Sequence, residues 1–216
     1  MTRKSDPPCH PLPVFGAGSD EQAMWRVKMQ DDAAAFAELV ARWQGPIQRL
    51  CTRMTGDSHR GEDLAQETFV RLFGRRKDYE PSGRLSTFLW RIALNLCYDE
   101  LRRLKRRPES ALDDSTSEDG PPLLVAEEPG PDAALARREC AEAVCQALLR
   151  LAEPYRAVVV LRHYEGLKFR EIAELLDIPE GTVKSRMAEA LTQLGRLLHP
   201  VLQGAEPTVP HESILL

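Results

Sequence analysis

The chain has 216 residues, 43% apolar and 29% charged, the proportions of an ordinary globular protein, which exclude collagen-like and wholly disordered chains. No run of apolar residues is long enough to cross a membrane, and residues 1–8 are polar with no apolar stretch behind them, so neither membrane insertion nor a secretory signal is expected. Five cysteines, an odd number with no CxxC pair, argue against a disulfide framework and for a reducing, cytoplasmic setting.

The net charge of −4 conceals a segregation along the chain. Residues 21–107 carry 17 basic and 12 acidic groups, a net of +5. Residues 108–132 carry 8 acidic groups, no basic one and five prolines. Residues 133–200 return to a net of +1, with 10 basic and 9 acidic groups. Binding to a polyanion depends on the local field rather than the total, so the acidic balance does not exclude nucleic acid. The 108–132 segment cannot bury enough apolar surface to offset its chain entropy and reads as a flexible acidic linker. The expectation is an all-α protein of two small helical domains, 21–107 and 133–200, joined by that linker, with loose tails at 1–20 and 201–216.

In chain order, Asp31-Asp32 opens an alanine-rich helix that carries Phe36, Leu39, Val40 and Trp43 at helical spacing. Gly45-Pro46 is expected to interrupt it, with Ile47, Leu50, Cys51 and Met54 resuming the pattern up to Gly56. Asp57-Ser58 starts the next helix, through Leu64, Thr68, Phe69 and Leu72 to Gly74. A polar loop covers 75–84, and Ser86 or Thr87 caps a long helix running to about Arg106. After the linker come helices near 133–152 and 154–164, the second stopped by Gly166. A short helix at about 169–176, a turn at Asp177-Ile178-Pro179 and a last helix from about 180 to 198 complete the chain. No segment alternates with period two, so no sheet is expected.

The helix at 86–106 has two faces. At about 100° per residue, Arg91, Asn95, Tyr98, Asp99, Arg102, Lys105 and Arg106 share an arc of roughly 120°. Leu89, Trp90, Ile92, Ala93, Leu94, Leu96, Cys97, Leu101 and Leu104 form the opposite, core-facing arc. A polar helix face is most often only a solvated surface. Here five bases in the six residues 102–107 favour phosphate contacts, Asn95 offers an amide fork to a base edge, and Phe88 borders the face where an unpaired base could stack. The 169–196 segment has the pattern of a DNA-binding helix-turn-helix, with Ile172, Leu176, Ile178 and Val183 as its small core and Ala173 at the close approach. Thr182, Lys184, Ser185 and Arg186 stand at the start of its second helix, the end that enters a major groove. Asp177 occupies the turn position usually held by Gly, and Asp tolerates the left-handed conformation. Cys9-His10 is too sparse for a metal site, and Cys140 and Cys145 are expected on the apolar side of a helix. No hydrolytic, metal-ligating or cofactor-binding constellation stands out, so neither an enzyme nor a cofactor is expected.

Three segments in order resemble the sigma-70 family, in its extracytoplasmic-function class. Glu62-Asp63-Leu64-Ala65-Gln66-Glu67-Thr68-Phe69-Val70-Arg71 is similar to region 2.2, Leu85 to Arg103 to regions 2.3 and 2.4, and Leu167 to Ala173 with Gly181 to Arg186 to region 4.2. The resemblance implies a two-domain sigma factor that binds the β′ clamp helices of core RNA polymerase and reads promoter DNA. It implies clamp contacts at Glu62, Asp63, Gln66, Glu67 and Phe69. It implies −10 contacts to the non-template single strand at Phe88, Arg91, Asn95 and Asp99, to which the charge and periodicity of the helix add Arg102, Lys105 and Arg106. It implies −35 contacts at Arg162, Thr182, Lys184, Ser185 and Arg186, and an anti-sigma factor as regulator. After Arg186 the sequence departs from the family, which is usually rich in bulky and basic residues there. Glu189 is the departure of most consequence, since a carboxylate near phosphate weakens binding, unless it points away from DNA. Two other readings remain open at this point: a helix-turn-helix regulator that does not direct polymerase, and an adaptor that mimics a sigma factor to titrate its inhibitor.

Overall fold

A computed structural model describes residues 19–80, 84–106 and 131–204, with side chains undescribed at 131–137 and 200–204. Cys9-His10, Arg107 and most of the acidic linker and of both tails lie outside the described residues, whereas Ser19-Asp20, Pro131-Asp132 and residues 201–204, expected in the tails or the linker, belong to described helices or their caps. Among the described residues there is no strand, and eight α-helices follow one another. They are α1 (Asp20–Gln30), α2 (Ala33–Thr55), α3 (Ser58–Gly74), α4 (Leu85–Arg106), α5 (Pro131–Arg150), α6 (Glu153–Val159), α7 (Phe169–Leu176) and α8 (Glu180–Gly204). A π-helical turn, Val160–Tyr164, continues α6.

Helix α1 was not expected from the sequence. Ser19 caps it by accepting the Gln22 N–H at 3.1 Å, and Ala23, Met24 and Val27 supply its buried face. Asp31 then turns the chain at φ 51°, and Asp32 caps α2 by accepting the Ala34 and Ala35 N–H groups, each at 3.0 Å. The expected break at Gly45-Pro46 does not occur, because α2 runs unbroken through Pro46. An internal proline costs about 3 kcal/mol. Ile47, Leu50, Cys51 and Met54 beyond it are all fully buried, and burying an Ile, Leu or Met side chain contributes roughly 1.5–3 kcal/mol each. Tertiary packing therefore outweighs the local penalty.

Helices α1–α4 form the first bundle, with α2 packed on α1, α3 and α4. At the α2–α3 crossing a Cβ on Gly61 would stand 2.1 Å from Thr52 Oγ1 and 2.9 Å from the Thr52 nitrogen. Only glycine allows the two backbones that approach. Trp43 and Trp90 meet edge to face at 5.6 Å, and the Trp43 indole donates to Asp20 Oδ2 at 2.9 Å. Trp90 is thus core, as its angular position implied. The cap of α4 differs from expectation. Leu85 is already helical, so Ser86 and Thr87 lie inside the first turn, and the Leu85 N–H is taken by Glu21 Oε1 of α1 at 3.3 Å.

The second unit is α5–α8, in which α5, α6 and α7 pack on α8. Ile172 and Val183 are fully buried in the helix-turn-helix, Leu176 and Ile178 are partly buried, and Leu175 joins them. Asp177 caps α7 at φ 54°, the left-handed conformation its position required. Cys140 is exposed, contrary to the expected apolar placement, and Cys145 is half-buried.

The two units pack together, with α2 against α5 and α6 and α4 against α7. Arg156 of α6 is the centre of this contact. It is 6% exposed and donates to Leu148 O at 3.1 Å, Leu149 O at 2.6 Å, Leu151 O at 3.0 Å and, across the interface, to Met54 O. These are carbonyls around the end of α5 and the last turn of α2, where helices leave acceptors unpaired. Gly56, which ends α2 at φ 83°, fits against Leu149, whose Cδ1 lies 2.7 Å from where a Cβ would stand. Arg53 stacks over the Tyr164 ring at 4.1 Å and faces Glu165 at 3.7 Å. Burial raises the Glu165 carboxyl above the usual carboxylate range, against the opposing pull of Arg53.

Candidate nucleic-acid interface

The apolar arc of α4 is buried in the bundle, which fixes the helix about its axis and turns its polar arc outward. Arg91, Asn95, Asp99 and Arg102 are exposed there, and Phe88 and Tyr98 are partly buried at the edge of the arc. Phe88 packs on Tyr79 with ring centroids 5.9 Å apart, which holds one edge of the ring against the bundle. Burial pushes the Tyr98 phenol up to about 12, so it remains a neutral hydrogen-bonding group. Asn95 is exposed, and among the described residues its amide has no partner.

These side chains line one recess of about 310 Å³ together with Ile92 and with Arg71 and Arg75 of the α3 end. Arg71 and Arg75 were not singled out from the sequence. They belong to a different helix, and only the α3–α4 packing brings them to this face. The recess offers an amide fork, two aromatic edges and four guanidinium groups, the combination that suits an unstacked base and its flanking phosphates. A single carboxylate, Asp99, sits among them and pairs with Arg102 at 3.5 Å. Lys105 and Arg106 lie outside the recess. Lys105 Nζ instead holds Glu153 of α6 at 2.6 Å, and that hydrogen bond keeps the Glu153 carboxyl below its usual range.

On α3, Glu62, Asp63 and Gln66 are exposed and Glu67 is half-buried, paired to Arg71 at 2.8 Å. Phe69 is a correction: at 6% exposure it belongs to the core and offers no surface to a partner. It lies one turn from the exposed face and supports that face from beneath. The exposed apolar groups on this helix are instead Val70, at 65%, and Phe73, at 37%. Their signal was present in the sequence, because an outward position on an amphipathic helix filled by Val or Phe is unusual.

At the start of α8, Lys184 and Ser185 are exposed and Thr182 and Arg186 are partly buried. Ser185 Oγ donates to Thr182 O at 3.0 Å, and Lys184 pairs with Glu180 at 2.7 Å. Arg162 is separate from this cluster. Its Nη1 donates to Leu167 O at 3.1 Å and its guanidinium lies 5.2 Å from the Phe169 ring, so it braces the loop that leads into α7. No group of metal-ligating side chains occurs among the described residues, and no described helix is long and apolar enough to cross a membrane.

Comparison with known proteins agrees with this geometry. Residues 39–107 match the family "Sigma-70 region 2", and residues 141–194 match "Sigma-70, region 4". The ECF RNA polymerase sigma factor SigW of Bacillus subtilis is 37% identical over 160 residues, which cover 72% of this chain and 84% of SigW. The fold is shared with CnrH, solved in complex with the cytosolic domain of CnrY, at a TM-score of 0.62 and 23% identity over 84% of this chain and 97% of that one. It is also shared with the sigma factor RpoE of Bartonella quintana, solved with the anti-sigma factor NepR, at a TM-score of 0.56 and 21% identity over 76% of this chain and 96% of that one. With both halves of the family in order and a relative this similar over most of its length, the chain belongs to the extracytoplasmic-function sigma factors of the sigma-70 family.

Proposed function

We propose that this chain binds core RNA polymerase and directs promoter-specific initiation in the cytoplasm, without bond chemistry of its own. In this reading the 21–107 domain docks through the exposed face of α3, where Glu62, Asp63, Gln66 and Glu67 meet the β′ clamp helices, with Val70 and Phe73 adding apolar area. The same domain opens the −10 element and holds its non-template strand on α4. Phe88 and Tyr98 stack or border the bases, Asn95 reads one of them, and Arg91, Arg102, Lys105 and Arg106 neutralise phosphates, with Asp99 as a neighbouring specificity position. The 133–200 domain contacts the −35 duplex with Thr182, Lys184, Ser185 and Arg186, and Arg162 acts at or near that duplex. Unstacking costs a few kcal/mol per step, which pocket contacts and phosphate neutralisation offset. An anti-sigma factor is the second proposed partner, in line with the similar fold of RpoE, solved with NepR.

The observation that carries this reading is the single recess joining Asn95, Phe88 and Tyr98 to four arginines from two helices. A regulator that never meets polymerase has no use for the exposed acidic and apolar face of α3. Gel filtration of the full chain with purified core polymerase is the test. Co-elution as one complex is expected, and separate elution of the two would reject the reading.

Glu189 is exposed and its Oε1 accepts from Gln193 Nε2 at 2.8 Å. At about 100° per residue it lies within about 60° of Thr182, Ser185 and Arg186 on the same helix face. It therefore faces the duplex in this reading. Replacing it by arginine, Glu189→Arg, removes one repulsion and adds one phosphate contact, so holoenzyme affinity for −35 duplex rises about tenfold and the salt slope steepens by about one. Fluorescence anisotropy across a salt series measures both. Unchanged affinity and slope would show that Glu189 points away from DNA.

A further inference from the structure

Helix α1 takes no part in the readings above, yet its polar side chains converge on the chain that leads into α4. Glu21 and Lys28 are seven positions apart, so at about 100° and 1.5 Å per residue they share one face, about 10.5 Å apart along the axis. Lys28 Nζ donates to Tyr79 O at 2.6 Å. Glu21 Oε1 accepts the Leu85 N–H at 3.3 Å. At the end of the helix, Asp31 Oδ1 accepts from Arg76 Nε at 2.6 Å. Helix α1 is therefore tied to Arg76, Tyr79 and Leu85 in turn. Only Ala23, Met24 and Val27 of its 11 residues are buried, so it adds little core for its length.

These contacts bear on Phe88. The first N–H groups of a helix lack intrahelical partners, and the dipole favours a carboxylate beside them. Glu21 fills that place for α4, whose own Ser86 and Thr87 lie inside the first turn. Phe88 stands three positions after Leu85, within that same turn. Its ring packs at 5.9 Å on the ring of Tyr79, which is 2% exposed. Burial raises the Tyr79 phenol above its ordinary range, and Glu21 and Asp20 lie close enough to push it further the same way. Tyr79 thus stands between the acidic start of α1 and the ring of Phe88. A base stacks well only on a ring held at a fixed angle, and a ring free to turn loses part of that contact. We propose that α1 is a brace for strand opening, with Glu21 and Lys28 as positioning residues that fix the first turn of α4 and, through Tyr79, the ring of Phe88. The brace rests on the promoter reading above.

The test uses holoenzyme assembled from core polymerase and the full chain, on a promoter duplex mapped with this chain and carrying 2-aminopurine in its −10 element. The double variant Glu21→Ala, Lys28→Met is expected to open this duplex about fivefold more slowly than the parent, the scale of a partly lost stacking contact. On the same promoter built with a mismatched, already open −10 segment, it should initiate within about twofold of the parent, because no base has to be unpaired. Glu21→Gln with Lys28→Arg keeps an acceptor and a donor at these places and should restore opening of the duplex. Equal opening rates for the parent and the double variant, an equal fall on both templates, or no recovery in the conservative variant would overturn the brace. Should the double variant melt below the assay temperature, Lys28→Met alone is compared with Lys28→Arg by the same criteria. A parent holoenzyme that opens no promoter would instead sink the promoter reading, and with it the step that α1 serves.

Discussion

Replacing Arg156 by leucine is expected to lower stability by about 3–5 kcal/mol, the largest single-residue effect in the described fold. Leucine fills part of the space but leaves up to three carbonyls without a donor, Leu149 O, Leu151 O and Met54 O, while Leu148 O keeps the Leu151 N–H at 3.1 Å. An unsatisfied buried acceptor costs about 1–3 kcal/mol, and the sum is reduced because some of the three gain water when the interface loosens. For a chain of this size the change is a fall on the order of 10 °C in Tm. Burial lowers the Arg156 pKa, yet a guanidinium keeps its proton throughout the accessible range, so the charge itself persists. Arg156→Lys keeps the charge but cannot spread its donors over four acceptors in a plane, and it should recover less than half of the loss. Differential scanning calorimetry of both variants measures this. A leucine variant that melts within about 2 °C of the parent would show that the carbonyl cluster is already hydrated.

Replacing Asn95 by alanine is expected to abolish discrimination at one position of the −10 element while leaving polymerase binding intact. A well-formed bidentate contact to a base edge discriminates by about 1–3 kcal/mol, which is roughly 5- to 150-fold. Asn95 is exposed and lies outside the core, so the substitution removes the amide without disturbing the bundle. Run-off transcription from a set of templates substituted singly across the −10 element separates the two effects. The alanine variant should transcribe the parent template about tenfold less and treat all four bases at one position alike. Full retention of the parental preference at every position would remove Asn95 from base recognition.

The helical periodicity of 86–106 was enough to separate core from reading face, and the burial of Trp90, Ile92 and Leu94 against the exposure of Arg91, Asn95 and Arg102 follows that division. Such a division needs only local information, since one helix and one core fix both faces. Features that depend on distant partners were not legible. Pro46 looked like a break because its penalty is local, whereas the packing that outweighs it comes from α3 and α4. Phe69 looked like a contact residue because it shares a motif with the exposed Glu62, Asp63 and Gln66, although it falls on the buried side of the helix with Ala65, Thr68 and Leu72. Arg71 and Arg75 reach the recess only through the α3–α4 crossing. Arg156 drew no attention in sequence, because its acceptors are backbone carbonyls on α2 and on and just after α5, which no residue pattern announces. The same holds for Arg84 and Glu171, 87 positions apart along the chain and in contact across the two units.

The central claim is that the chain selects where transcription starts. Purified core polymerase, with and without the full chain, should be given fragmented genomic DNA from the source bacterium, and the 5′ ends of the transcripts mapped. The account predicts a reproducible set of start points that depends on the added chain, each preceded by a shared −10 sequence and a second shared element upstream. Identical start points with and without the chain would contradict it.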